Sequence, residues 1–325
     1  MAAAETRYVR VPCYAKINRL LTVLNRGADG FHELRTIFET ISLADSLELF
    51  FTPGRAAEPS LEADFDVPDN LVLRAARAVF AASGAKGHLH CKLVKHIPMG
   101  GGLGGGSTDA AAVLLALPVL TGKPLRPGQA HELAATLGSD VPFFLYGGQA
   151  LGLGRGTELY PLSESPKQHL LVVANNIHVS TADAYRAFDR DGNGKLTDED
   201  AARYIGSFQA RAWEQGTSLS SSGTGTSSEN DFERVVFPQH PQLDLTLKKL
   251  KKLGAAPVRM TGSGSALFGF FRTAEEARAA RRHFGLARVY AATTLSRRRY
   301  QTSWAKALQE HTALNQWPPR SRYAR

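Results

Sequence analysis

Six glycines packed around one leucine form the stretch of this chain best suited to chemistry. Residues 98–112 read PMGGGLGGGSTDAAA, so Gly100, Gly101, Gly102, Gly104, Gly105 and Gly106 surround Leu103 and come after Pro98 and Met99. Glycine lacks a Cβ, so its backbone can turn left-handed and lie close against a ligand. Ser107, Thr108 and Asp109 are residue types that start helices, and the apolar run 110–117 is a strong helix former. The stretch predicts a loop whose N–H groups converge at a helix N-terminus. That is an anion site, and phosphate is the anion that fits it. It is not a Walker A element, because no lysine stands between Gly106 and Ser107. It is also a poor dinucleotide fingerprint, which needs an acidic residue at a strand end about 20 residues on. A flexible linker is the plain alternative, but linkers rarely run into a capped apolar helix.

Two charged residues in apolar surroundings come next. Asp140 lies in Gly138-Ser139-Asp140-Val141-Pro142, a loop between apolar segments. By itself it reads as a turn or N-cap acid rather than a catalytic one. Lys16 lies on an apolar strand, where a lone cation needs a partner or must reach solvent along its stem.

The elements that would position these groups are read from periodicity. Residues 8–24 alternate through Val9, Val11, Cys13, Ala15 and Ile17 and predict a strand, with a turn at 26–30. Further strands are expected at 34–43, 46–51, 88–95, 150–154, 170–174, 258–260, 266–271 and 287–294. Helices are expected at 70–83, 129–137, 180–188, 199–211, 243–253 and 275–284. The Ser/Gly/Thr segment 216–229 reads as a disordered linker.

Composition narrows the class. The 325-residue chain has no run near the ~18 apolar residues of a membrane span and no secretory leader, so a cytoplasmic protein without membrane contact is expected. Cys13 and Cys91 are too few for a disulfide framework. The net charge of +9 is local: residues 272–325 hold eleven Arg and one Lys against three Glu, and the remainder is balanced. A solvated basic tail is expected there rather than a nucleic-acid contact, because no aromatic residues interleave at a stacking spacing.

Four segments in order complete the pattern: YAKINRLLTVLNRGADGFHELRTIFETISLAD at 14–45, the glycine stretch, LGSDVPFFLYGG at 137–148, and VRMTGSGSALFGFF at 258–271. Together they resemble the motifs of the GHMP kinase superfamily. Lys16 and Asn18 in AKIN and the run from Arg26 to His32 resemble, more narrowly, the 4-diphosphocytidyl-2-C-methyl-D-erythritol kinase family. Asn230-Asp231-Phe232-Glu233 fits it too, so the resemblance spans about residues 8–295.

The resemblance implies an α+β, two-domain fold with the active site in the interdomain cleft. The domains are expected at 1–163 and 164–299, with insertions at 189–200 and 216–229 and a basic extension at 300–325. It implies an ATP- and Mg²⁺-dependent kinase of isoprenoid (terpenoid) biosynthesis by the non-mevalonate route. The reaction would phosphorylate the 2-hydroxyl of a small substrate bearing a cytidine diphosphate group, with Asp140 as general base and Lys16 as its partner. Residues 98–108 would hold ATP, Ser107 or Thr108 would ligate Mg²⁺, and Asn70 and Lys95 would lie near the adenosine. Asn18, Phe31, His32, Phe38, Thr181 and Tyr185 would bind the substrate, with cytosine between two rings; the family more often has Tyr at the position of Phe31. Arg19 stands where the family has an apolar residue. The expected assembly is a monomer or weak homodimer. The rival readings are a GHMP kinase for mevalonate, homoserine or a sugar, and a non-catalytic nucleotide- or calcium-binding regulator.

One insertion has chemistry of its own. Residues 189–200, DRDGNGKLTDED, match a calcium loop with Asp189, Asp191 and Asn193 at positions 1, 3 and 5, Gly194 at 6, the Lys195 carbonyl at 7 and Thr197 at 9. Position 12 is Asp200, one methylene shorter than the usual Glu, so any Ca²⁺ affinity would be weak, and an acidic solvated turn is the favoured reading over a calcium site.

Overall fold

The computed structural model describes residues 5–27, 30–64, 70–164, 166–175, 177–192, 230–285, 288–313 and 316–324. Two antiparallel strands of unusual length organise it. β1 (Arg7–Arg26) pairs with β2 (His32–Pro53) along nearly its whole length, with register breaks at Tyr14/Lys16, Asn18/Leu20 and Val23/Arg26. The sequence suggests two strands where β2 is continuous. Alternation of buried and half-exposed residues holds only to Tyr14; from Ala15 to Leu24 every residue of β1 is buried. The reason is that the second half of β1 is covered on both faces. One face meets the first domain and the other meets the second, so a period-2 pattern cannot persist.

The first sheet runs β3-β4-β2-β5-β6, with β1 joined to β2. β3 (Ala57–Ala63) lies parallel to β4 (Gly87–Val94), while β5 (Gln149–Leu153) and β6 (Glu158–Pro161) extend the other side antiparallel. Helices α1 (Leu71–Ser83), α2 (Gly105–Thr121) and α3 (Gln129–Leu137) join its core. α2 is apolar on every side, and twelve of its residues are buried, which makes it the axis of the domain.

The second sheet, β10-β7-β9-β8, is wholly antiparallel: β7 (His169–Ala174), β8 (Val258–Met260), β9 (Leu267–Phe271) and β10 (Arg288–Thr293). Its two faces go different ways. Leu171, Val173 and Leu267 pack against α4 (Thr181–Arg190), α5 (Glu233–Gln239), α6 (Pro241–Lys252) and α7 (Ala274–Arg281). Leu170, Val172 and Phe268 pack against Ala15, Ile17 and Ile41 of the first sheet. The domains therefore share an apolar seam, and the site opens beside it.

The C-terminal segment departs from its expected role as an appendage. α8 (Arg297–Leu308) buries Tyr300, Trp304 and Leu308 in the core of the first domain. The basic charge lies outside, and the aromatic residues spaced four apart lie inside. Arg19 is likewise explained: its guanidinium pairs with buried Glu39, bonds Gln168 and lies 4.5 Å from the Phe270 ring centroid, tying the first domain to the second.

Candidate active site

Lys16 lies just past a register break of β1, and only 2% of its surface is exposed. A cation so buried requires a partner. It has two: Asp140 Oδ2 at 3.2 Å and Asn18 Oδ1 at 2.6 Å. Asp140 retains access to the cleft, with 31% of its side chain exposed. The turn after it fixes its position. Pro142, Phe143, Phe144 and Leu145 form one buried 3-10 turn, and Phe143 packs at 5.0 Å on Phe38. The C-terminal segment holds this turn from behind: Tyr300 Oη donates to the Phe144 carbonyl, and Trp317 Nε1 donates to the Leu145 carbonyl at 3.1 Å.

The glycine loop passes directly over Lys16, whose backbone N–H donates to the Leu103 carbonyl at 3.0 Å. Helix α2 starts earlier than the sequence indicates. Its N-cap is Gly104, which offers no side-chain cap, while Ser107, Thr108 and Asp109 lie inside the helix. The first N–H groups are thus left uncapped, which is the arrangement an anionic ligand completes. Two glycines are required by space as well as conformation. At Gly102 (φ +74°) a Cβ would lie 2.2 Å from the Thr261 carbonyl oxygen, and at Gly104 (φ +73°) 2.7 Å from the Phe144 ring.

The second domain reaches this point through Thr261-Gly262-Ser263. Asn18 Oδ1 accepts from the Gly262 N–H at 2.9 Å, and Asn18 Nδ2 donates to Thr36 Oγ1 at 2.8 Å. Asn18, expected at the substrate, thus has its amide engaged within the protein. Asn230 Nδ2 braces the same turn by donating to the Met260 and Gly262 carbonyls at 2.8 and 2.9 Å.

From Lys16 and Asp140 a cleft of about 540 Å³ runs between the domains. Its far end is aromatic. Phe31 is 51% exposed, with the Arg155 guanidinium 3.6 Å from its ring centroid. The His32 and Tyr185 rings stack at 4.9 Å and 20°. Burial, and then the charge of Asp140, push the Tyr185 hydroxyl well above its usual range. Thr181 lines the cleft and shares a 2.9 Å hydrogen bond with Ser263.

Most of the residues singled out by sequence meet here, but not all. Lys16, Asn18, Phe31, His32, Phe38, Gly102, Ser107, Asp140, Thr181 and Tyr185 line one cleft. Thr108 is buried at 2%, so Ser107 is the hydroxyl that faces the cavity. Met99 is 63% exposed at the start of the loop. Asn70 caps α1, accepting from the Val72 N–H at 2.9 Å, and lies off the cleft lining. Lys95 is also off it. Its ammonium bonds Asp109 Oδ2 at 2.8 Å and Asp45 beneath the loop. Burial, reinforced by Asp45, pushes the Asp109 carboxyl up to about 7. Arg26, Ser139 and Phe232, which lie within the segments that carry the resemblance, also line the cleft, as does Arg155, which carries no legible signal in the sequence.

The calcium expectation meets a competing partner. Asp189 Oδ1 lies 2.7 Å from His32 Nε2, and Asp191 sits at the end of α4. Asn193, Lys195, Thr197 and Asp200 lie outside the described residues, as do the helix expected at 199–211 and the segment 216–229. Among the described residues no group of three or more His, Cys, Asp or Glu could hold a metal ion.

Comparison with known proteins places this geometry. The chain matches the GHMP kinases N terminal domain over residues 70–148 and the GHMP kinases C terminal domain over 216–288. A 4-diphosphocytidyl-2-C-methyl-D-erythritol kinase of Solibacter usitatus is 49% identical over 98% of this chain and 99% of its own length. The kinase of the same name from Pelotomaculum thermopropionicum is 40% identical, covering 81% of this chain and 89% of its own. A crystal structure of 4-(cytidine 5'-diphospho)-2C-methyl-D-erythritol kinase superposes with a TM-score of 0.69 at 34% identity, covering 88% of this chain and 98% of that one. The chain belongs to the 4-diphosphocytidyl-2-C-methyl-D-erythritol kinase family of GHMP kinases. Mevalonate kinase from L. major, at 14% identity and a TM-score of 0.62 over 90% of this chain and 98% of its own, shares the fold.

Proposed function

We infer that the chain transfers the γ-phosphoryl group of ATP to the 2-hydroxyl of 4-diphosphocytidyl-2-C-methyl-D-erythritol, a step of non-mevalonate isoprenoid synthesis. The observation that carries this reading is one cleft with two unlike ends. A buried Lys16–Asp140 pair and an uncapped helix N-terminus close one end, and an aromatic platform forms the other.

Phosphoryl transfer demands positioning and charge stabilisation more than covalent chemistry. The uncapped N–H groups at the start of α2 receive the phosphates of ATP. Asp140 accepts the proton of the acceptor hydroxyl as its oxygen bonds the γ-phosphorus, and the bond to the ADP oxygen breaks. Lys16 holds the Asp140 carboxylate in place and offsets negative charge beside the transferred group. Mg²⁺, when bound, neutralises phosphate charge, and Ser107, the loop hydroxyl that faces the cavity, is the ligand this chain offers. Phe31 and Tyr185 supply the stacking rings for cytosine, with His32 beside them.

The rival acceptors mevalonate and homoserine carry no ring that would use this platform. ATP and the cytidyl substrate both carry charged phosphate groups, consistent with a cytoplasmic site, and no helix among the described residues is long and apolar enough to cross a membrane. The test is ³¹P NMR of the reaction with ATP and the cytidyl substrate. A new monoester signal coupled to the 2-position of the erythritol supports the reading. Turnover with mevalonate or homoserine and none with the cytidyl compound overturns it.

A further inference from the structure

The imidazole of His32 is held more tightly than a ring beside a ligand pocket requires. Its side chain is 6% exposed. Tyr185 stacks on it at 4.9 Å, Phe188 meets it edge-on at 6.3 Å and 88°, and Asp189 Oδ1 lies 2.7 Å from Nε2. Tyr185, Phe188 and Asp189 stand at i, i+3 and i+4 of α4, so a single helix face forms the whole socket. By sequence alone, this same Asp189 fits the first position of a calcium loop.

We propose that Asp189 is a positioning residue for pyrimidine selection: by holding the proton of His32 on Nε2, it presents Nδ1 as a hydrogen-bond acceptor that takes an amino-bearing pyrimidine and rejects its carbonyl-bearing counterpart. The proposal rests on the cytidyl reading of the acceptor end. A carboxylate only accepts hydrogen bonds, so the nitrogen facing it must carry the hydrogen. Nδ1 makes no hydrogen bond among the described residues, and His32 lines the cleft. In the neutral ring that nitrogen is an acceptor. Cytosine offers an exocyclic amino donor where uracil offers a carbonyl oxygen, so a uracil would set acceptor against acceptor. Carboxylates behind metal-ligating histidines fix ring orientation and tautomer in the same way.

The experiment compares steady-state kinetics on the cytidyl substrate and its uridyl analogue, for the wild type, Asp189→Leu and Asp189→Glu. It is paired with ¹⁵N NMR of the His32 ring. The wild type should prefer the cytidyl compound by about 100-fold or more in kcat/KM. Asp189→Leu should reduce that preference about tenfold, through a raised KM for the cytidyl substrate at nearly unchanged kcat. Asp189→Glu should restore it, and the wild-type spectrum should show hydrogen on Nε2. An unchanged preference in Asp189→Leu, or hydrogen on Nδ1 in the wild type, overturns the proposal. Should Asp189→Leu fail to fold by circular dichroism, Asp189→Glu and the wild-type spectrum decide alone. A wild type that turns over neither pyrimidine compound sinks the cytidyl reading instead, and the ring spectrum still reports on the Asp189–His32 pair.

Discussion

On the proposed reading, a ligand meets backbone at the phosphate end of the cleft and side chains at the acceptor end. The phosphate end is built from glycines that cannot be replaced, packed against the Thr261 carbonyl, the Phe144 ring and the Lys16 stem. The acceptor end is built from the side chains of Phe31, His32, Tyr185 and Arg155, which come from both domains and line the cleft. Backbone N–H groups recognise any phosphate, so the first end is generic. Rings and tautomers recognise one base, so the proposed reading puts acceptor choice at the second end.

The sharpest way to separate the two ends is Gly104→Val. A side chain there would collide with Phe144 and force a left-handed backbone, so turnover of ATP should fall by about 100-fold or more while calorimetry finds cytidyl-substrate binding intact. Equal loss of both would show that the ends are one unit. The converse is Tyr185→Ala. Removing a stacking ring should raise KM for the cytidyl substrate by about tenfold or more and leave KM for ATP unchanged.

The same contrast explains what is legible in the sequence. Glycines and a lysine on an apolar strand are local signals, readable because backbone conformation and burial constrain single residues. The pairing of Lys16 with Asp140 joins β1 to a turn more than a hundred residues later, and only the family resemblance anticipates it. Arg155 against Phe31 and Asp189 against His32 have no periodicity and are unreadable; Asp189 even fits a different motif. The start of α2 differs from expectation because the structure uses a bare glycine where N-cap side chains are available a few residues on. Resemblance draws Lys95 and Asn70 to the adenosine, and what the structure shows of them is a pairing with Asp45 and Asp109 and the cap of a helix. Charge misleads at the C-terminal segment: arginines dominate its composition, but Tyr300 and Trp304 determine where it packs.

Two smaller effects probe the ground beneath the phosphate end. Burial holds the Asp109 carboxyl at about 7 in the folded chain, above its value when unfolded. Its contribution therefore favours the fold at low pH and is lost as pH rises through 7. The melting temperature of the wild type relative to Asp109→Asn should fall between pH 5 and pH 8, and a constant difference would show that the carboxyl is ionised throughout. Trp317→Phe removes the donor to the Leu145 carbonyl behind Asp140. It should reduce stability by about 1 kcal/mol, a drop of about 2–4 °C in Tm, with both KM values unchanged.

The central claim is that Asp140, held by Lys16, takes the proton from the acceptor hydroxyl. Asp140→Asn keeps the shape and a hydrogen-bonding oxygen for Lys16 but cannot act as the base. Single-turnover ADP formation with the cytidyl substrate should slow by about 10²–10⁴-fold while calorimetry finds both ligands bound at near wild-type affinity. A wild-type rate in Asp140→Asn would contradict the account.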